Sequence, residues 1–379
     1  MVTFLPQLPG RLADVPSFDR AIGGAESNVA CTLARTGHTA RWISRVGTDG
    51  FGDHLLAAIA GCGVDVTHVR RDPLRPTGIY FRTAGDRATD THEVAYYRAG
   101  SAASAMTAAH LDLDAVHSGR ILHLSGITAA LSEDCLGLMR ELTARRPGRP
   151  LLSFDVNYRP GLWRERSPAQ ELLELARGAD LVFVGDDEAR DAWGLHGARA
   201  ISAALPEPDL LVVKQGKGGA TVFQRTTKTS GRGDDAAGTA TGGRGDDAGG
   251  TATDGLYDDA GGTATFVPSL DVDLVAATGA GDAFAAGFLS ATLRALPVRT
   301  RIRHGHLWAA AALTAPGDLA TPPGRAHADR LADLDDAAWG RLHLGPGWTA
   351  AETSGSRVEA SGRRADASGR RADEEVGTR

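Results

Sequence analysis

Four short apolar runs rich in β-formers, at 120–126 (RILHLSG), 151–157 (LLSFDVN), 179–185 (ADLVFVG) and 210–216 (LLVVKQG), constrain this chain more than any other feature. Longer helical patterns separate them. A strand apolar on both faces must be covered on both, and parallel neighbours need long crossovers, usually helices. The pattern therefore predicts an α/β fold with a central, mostly parallel sheet flanked by helices. Ligands of such sheets bind beyond the carboxyl ends of the strands. Two further stretches, TGIYFR at 77–82 and HEVAYYR at 92–98, alternate with period two. They predict a hairpin, read as a small β lid over about 77–98, with Val94, Tyr96 and Arg98 on one face and Tyr80 with Arg82 on one face of its partner.

Two segments break the pattern. A twelve-residue unit, GRGDDAAGTATG, recurs with small changes across 231–266, and ASGRRAD occurs twice near the carboxyl end. The repeat lacks the spaced large apolar residues of a stacked core or a calcium-binding roll, so an expanded surface loop is expected, and the polar tail at 349–379 is expected to be disordered. One domain over 1–348 remains. The net charge of −6 is small and of the wrong sign for a domain that grips nucleic acid through phosphates. No apolar run approaches membrane-spanning length. Cys31, Cys62 and Cys135 have neither disulfide-framework nor zinc spacing, which fits a reducing cytoplasm.

The sharpest chemical signal is ATGAGDAFAAGFLSATL at 277–293. Gly279, Ala280 and Gly281 fall where an apolar helical pattern begins, so their N–H groups can converge on an anion with the helix dipole behind them. A carboxylate at Asp282 would repel that anion unless it serves another purpose, such as accepting a proton from an attacking hydroxyl. A helix opened by Gly23 and Gly24 brings Asn28, both donor and acceptor, within reach of a ligand. A third glycine-rich element, VVKQGKGGA at 212–220, follows a buried strand with a basic turn, but it lacks the spacing of a Walker A loop.

In this order these residues resemble the ribokinase-like sugar kinases, also called the PfkB carbohydrate kinases. One family signature matches Gly23, Gly24, Asn28, Gly37, Gly47, Asp49 and Gly52, and the second matches Thr278 through Phe284. Three segments, YYRAGSA, LHLSGIT and FDVNYRPGLW, are most similar to family members acting on 2-keto-3-deoxygluconate. The resemblance implies transfer of the ATP γ-phosphoryl to the 6-hydroxyl of this sugar acid, with Asp282 as base, the 279–282 backbone as anion hole and Mg2+ on the phosphates. It implies that Arg98 and Arg159 hold the sugar's carboxylate, with Gly24, Asn28, Tyr80, Tyr96 and Asp318 completing the pocket. Arginine forks suit that carboxylate. Asn157, Lys214, Gly216 and Gly219 would approach the nucleotide together with Gly279 and Gly281, and Glu188 would be the partner of the metal. A homo-oligomer through the lid is a further expectation, and neither nucleic acid nor membrane is expected as a partner.

The departures matter too. Gly185 stands where the family has Asn or Ser, and Ala276 where an Asp is common. Relatives carry a Gly-Glu strand before the segment that matches Met1–Pro6, so an upstream start is expected, and a sheet without that strand would leave two neighbours' ladder groups open. A kinase for a neutral sugar such as fructose or ribose, and a non-catalytic sensor on the same fold, are the competing readings.

Overall fold

The computed structural model describes residues 1–8, 10–83, 93–163, 168–225, 256–257 and 262–350. Most of the repeat, and the tail from 351, lie outside the described residues. In chain order the strands that build the site are β1 (Val2–Pro6), β2 (Phe18–Ile22), β3 (Arg45–Gly47), β4 (Arg70–Asp72), β5 (Ile79–Arg82), β6 (Val94–Tyr97), β7 (Ile121–Ser125), β8 (Leu151–Asp155), β9 (Leu181–Gly185), β10 (Leu210–Lys214), β11 (Ala220–Gln224), β12 (Leu256–Tyr257) and β13 (Thr263–Val267).

The four apolar runs become β7 to β10. They lie side by side and parallel in a seven-stranded sheet of order β12-β13-β11-β10-β9-β8-β7, whose other pairings are antiparallel. β9 is buried along its whole length, as expected for a strand with helices over both faces. One apolar cluster on this sheet includes Phe154, Val182, Leu172 and Met139; the other includes Phe183, Val212, Phe288 and Trp308.

The hairpin at 77–98 is present, with Tyr80 opposite Tyr96 and Arg82 opposite Val94. It is half of a larger unit: β1 pairs parallel with β5 and antiparallel with β2, giving a four-stranded lid sheet of order β2-β1-β5-β6. A third apolar cluster, around Val2, Cys31, Val46, Leu55 and Ile59, lies beneath it.

Among the described residues, β7 ends its sheet and β3 pairs with β4 alone. Trp42 N bonds Asp65 O and Arg70 N bonds Ser44 O, so the even-numbered groups of that segment face β4 and those of Ile43 and Arg45 face away. Residues 41–46 and 121–124 line one cavity. The edges of β3 and β7 that carry no partner among the described residues thus border a common space.

Candidate active site

The carboxyl ends of the parallel strands open into a cavity of about 1200 Å³. Its far wall is the helix Ala280–Leu293 and its roof is the lid sheet. The helix reads from sequence as amphipathic, with Phe284, Phe288 and Ala291 inward. In the structure every residue from Phe284 to Ala291 is buried, because the helices Ala25–Arg35 and Val298–Leu313 pack against it as well as the sheet.

The start of this helix is built for close approach. Gly279 adopts the left-handed conformation (φ 80°), and a Cβ there would lie 2.3 Å from the carbonyl oxygen of Asp318. Only glycine satisfies both conditions. The first intrahelical bond runs from Ala283 N to Gly279 O, so the N–H groups of Ala280, Gly281 and Asp282 have no helical acceptor. Those three donors lie at the positive end of a fourteen-residue helix, an arrangement that can bind an anion.

Asp282 lies at the cavity wall, and its Oδ2 accepts from Asn28 Nδ2 at 2.8 Å. Burial pushes its carboxyl up to about 7; the Asn28 bond opposes that shift, and the neighbouring Asp155 reinforces it. A carboxyl poised near neutrality suits a general base. Asn28 therefore orients the Asp282 carboxylate.

Across the strand ends, Lys214 Nζ at the end of β10 meets both oxygens of Asp155 at the end of β8, at 3.1 and 3.2 Å. Burial disfavours the lysine's charge, but Asp155 and Glu188 outweigh it and hold Lys214 above the usual lysine range. A Cβ on Gly281 would lie 3.6 Å from Nζ, which places this cation at the anion site. Glu188 Oε2 accepts from Gly185 N at 2.8 Å, and its Oε1 lies 3.2 Å from Arg159 Nη1. Burial raises the Glu188 carboxyl, so a cation beside it would be favoured. Among the described residues no three His, Cys, Asp or Glu side chains converge as a metal cage. Glu188 and its neighbour Asp155, lining the same cavity, fit Mg2+, which keeps its waters and is held largely by phosphates. Asn157, with φ 40° and a buried Oδ1 that has no partner, lines the same end of the cavity.

The other end of the cavity, where the sugar is expected, lies under the lid. Tyr80 donates from its hydroxyl to Asp318 Oδ2, and Arg82 Nη2 stands 2.9 Å from Asp318 Oδ1. Arg98 stacks on the Tyr96 ring at 4.5 Å. Its guanidinium is mostly buried, its Nε has no hydrogen-bond partner, and it makes no ion pair among the described residues. Glu26, on the first turn of the helix Ala25–Arg35, accepts from Thr128 Oγ1 at 2.5 Å and lines the pocket.

Gly24, Asn28, Tyr80, Tyr96, Arg98, Asn157, Arg159, Glu188, Lys214, Gly279, Gly281, Asp282 and Asp318 thus share one cavity. Ala280 lies behind its wall. Gly216 and Gly219 sit on the turn between β10 and β11, outside the lining. Arg159 is exposed and bound to Glu188 instead of standing free. Sequence reading missed Asp155, Arg82 and Glu26. For Asp155 the signal was available: an acid closing the apolar run LLSFD must find a cation when buried, and LLVVK ends on one.

Comparison with known proteins agrees with this geometry. The description "pfkB family carbohydrate kinase" matches residues 2–233 and 251–323. The chain is 31% identical over 336 residues to a 2-dehydro-3-deoxygluconokinase of Bacillus subtilis, covering 86% of this chain and 90% of that protein. It is 29% identical to a probable fructokinase-6 of Arabidopsis thaliana, covering 76% of this chain and 67% of that one. The crystal structure of a PfkB protein from Polaromonas sp. JS666 superposes with a TM-score of 0.68 at 31% identity, over 87% of this chain and 96% of that one. With a family match over most of its length and a relative 31% identical across 90% of that protein, the chain belongs to the pfkB family of carbohydrate kinases.

Proposed function

We propose that the chain is an ATP-dependent kinase for a sugar acid, 2-keto-3-deoxygluconate, which it phosphorylates on the 6-hydroxyl. The observation that carries the substrate is Arg98, a mostly buried guanidinium at the sugar end that stacks on Tyr96 and feels the charge of Glu26, yet makes no ion pair among the described residues. A buried cation without a partner is costly, and a substrate carboxylate offsets that cost in a way that a neutral hydroxyl does not. The Bacillus relative named 2-dehydro-3-deoxygluconokinase, the same sugar acid under another name, supports the reading.

In this mechanism Tyr96 and Arg98 hold the acid end, and Asp318, held by Tyr80 and Arg82, lines the pocket beside them. Asp282, oriented by Asn28, takes the proton of the attacking hydroxyl. The N–H groups at 280–282 and Lys214 stabilise charge on the transferred phosphoryl group, where electrostatics and positioning do most of the catalytic work. Mg2+, held near Glu188 through water, would supply further charge neutralisation on the phosphates.

A phosphoryl-transfer panel tests this. We expect kcat/KM for 2-keto-3-deoxygluconate to exceed that for fructose or ribose, and Arg98→Met to raise the KM of the sugar acid about 10- to 100-fold through loss of a charge-assisted contact. The KM of neutral sugars should change little. Fructose preferred by the wild type, as the fructokinase relatives would suggest, overturns the sugar-acid reading.

A further inference from the structure

We propose that Arg82 is a positioning residue that ties occupancy of the sugar pocket to the geometry of the Gly279 turn. The proposal rests on the reading above only in placing a sugar against the lid residues Tyr80, Tyr96 and Arg98.

Arg82 is the last residue of β5, two beyond Tyr80, and both side chains are buried. Both reach Asp318: Tyr80 from its hydroxyl to Oδ2, and Arg82 from Nη2 to Oδ1 at 2.9 Å. Asp318 is itself only 7% exposed, so its charge has little help from solvent. Its main chain lies against the turn, with the carbonyl oxygen where a Gly279 side chain would be. One residue is therefore held by the lid through its carboxylate and touches the anion loop through its backbone.

Two grips differ from one. A carboxylate held only by the tyrosine hydroxyl can rotate about its Cβ–Cγ bond, and a movement of β5 would then be absorbed by that rotation. With Arg82 on the second oxygen, displacement of β5 moves the carboxylate and the backbone behind it together. Arg82 lines the same cavity, and among the described residues its ion pair is with Asp318. By linkage, whatever the sugar does to the turn must appear as a change in nucleotide affinity, and the reverse.

Nucleotide affinity, measured by calorimetry with a non-hydrolysable ATP analogue with and without saturating sugar, tests the idea on wild type, Arg82→Gln and Arg82→Lys. The sugar is whichever one the wild type phosphorylates fastest, so a wrong substrate assignment and a wrong role for Arg82 give different results. In the wild type we expect sugar to tighten analogue binding by about 5-fold or more. Arg82→Gln should bring that ratio close to 1 and lower kcat by about 10- to 100-fold, with sugar-free analogue affinity within about twofold of wild type. Arg82→Lys should recover most of the ratio. A wild type whose analogue affinity ignores sugar overturns the proposal. So does an Arg82→Gln protein that keeps both ratio and kcat, or one that loses sugar-free affinity and thermal stability together with no recovery in Arg82→Lys.

Discussion

Asp282 carries two linked consequences. Its carboxyl ionises at about 7 in the folded chain, so kcat/KM should rise with pH through that region as the base becomes available. Asn28→Ala removes the one hydrogen bond that stabilises the carboxylate, and a pH–rate profile should show the acidic limb moving to higher pH. Because the folded-state value lies above the unfolded value of 3.8, the folded chain binds more protons between the two. Stability therefore falls as pH rises from about 4 to about 7. Asp282→Asn should abolish most activity, by about 100-fold or more, yet denature at higher urea than wild type above pH 7, with a gain of at most about 4 kcal/mol. A variant both inactive and less stable there would contradict the burial account. The residue type and its place beside the glycine-rich turn were legible in the sequence, although an acid at a helix start also serves the helix dipole, and it was the second glycine-rich motif that favoured a chemical role. Its partner was not legible, because Asn28 lies far away in the chain and only folding brings the two helix starts together.

Among the elements, the turn after β3 illustrates a signature residue that serves packing. Asp49 caps the helix Gly50–Gly61 by accepting from Gly52 N, and its other oxygen accepts from Thr77 N, where the chain enters the lid hairpin. Asp49→Ala should cost about 1–2 kcal/mol in urea denaturation. A loss of activity well beyond that loss of folded protein would point to the lid as well as the helix. Period and composition placed the parallel strands and the hairpin because burial on two faces and on one face leave different marks on sequence. They did not reveal that β1 and β2 widen the lid, since a partner strand is set by distant pairing and not by local pattern. The same holds for the helix Ala280–Leu293, whose second buried face comes from helices far away in the chain.

For the molecule as a whole, β11 and β13 pair directly from Gln224–Thr263 to Ala220–Val267. The expected surface loop is thus corrected at its end: the third unit supplies β12 and residues 263–266 of β13, whereas residues 231–254 fall between the paired strands. Excising residues 231–254 should leave kinetics unchanged and, by shortening the closed loop, raise stability by about 1 kcal/mol in thermal or urea unfolding. A loss of expression or activity would show that the repeat contributes contacts. The edges of β3 and β7 carry a different consequence. They divide the apolar interior, with the cluster of Val2, Cys31 and Leu55 on the lid side and the two sheet clusters on the other. Among the described residues no ladder crosses that seam, and the helix Ala25–Arg35 spans it, with Cys31 in the lid cluster and Val29 in a sheet cluster. Amide exchange should then resolve two cooperative units, with residues of β3 and β5 exchanging by a lower-energy opening than those of β9.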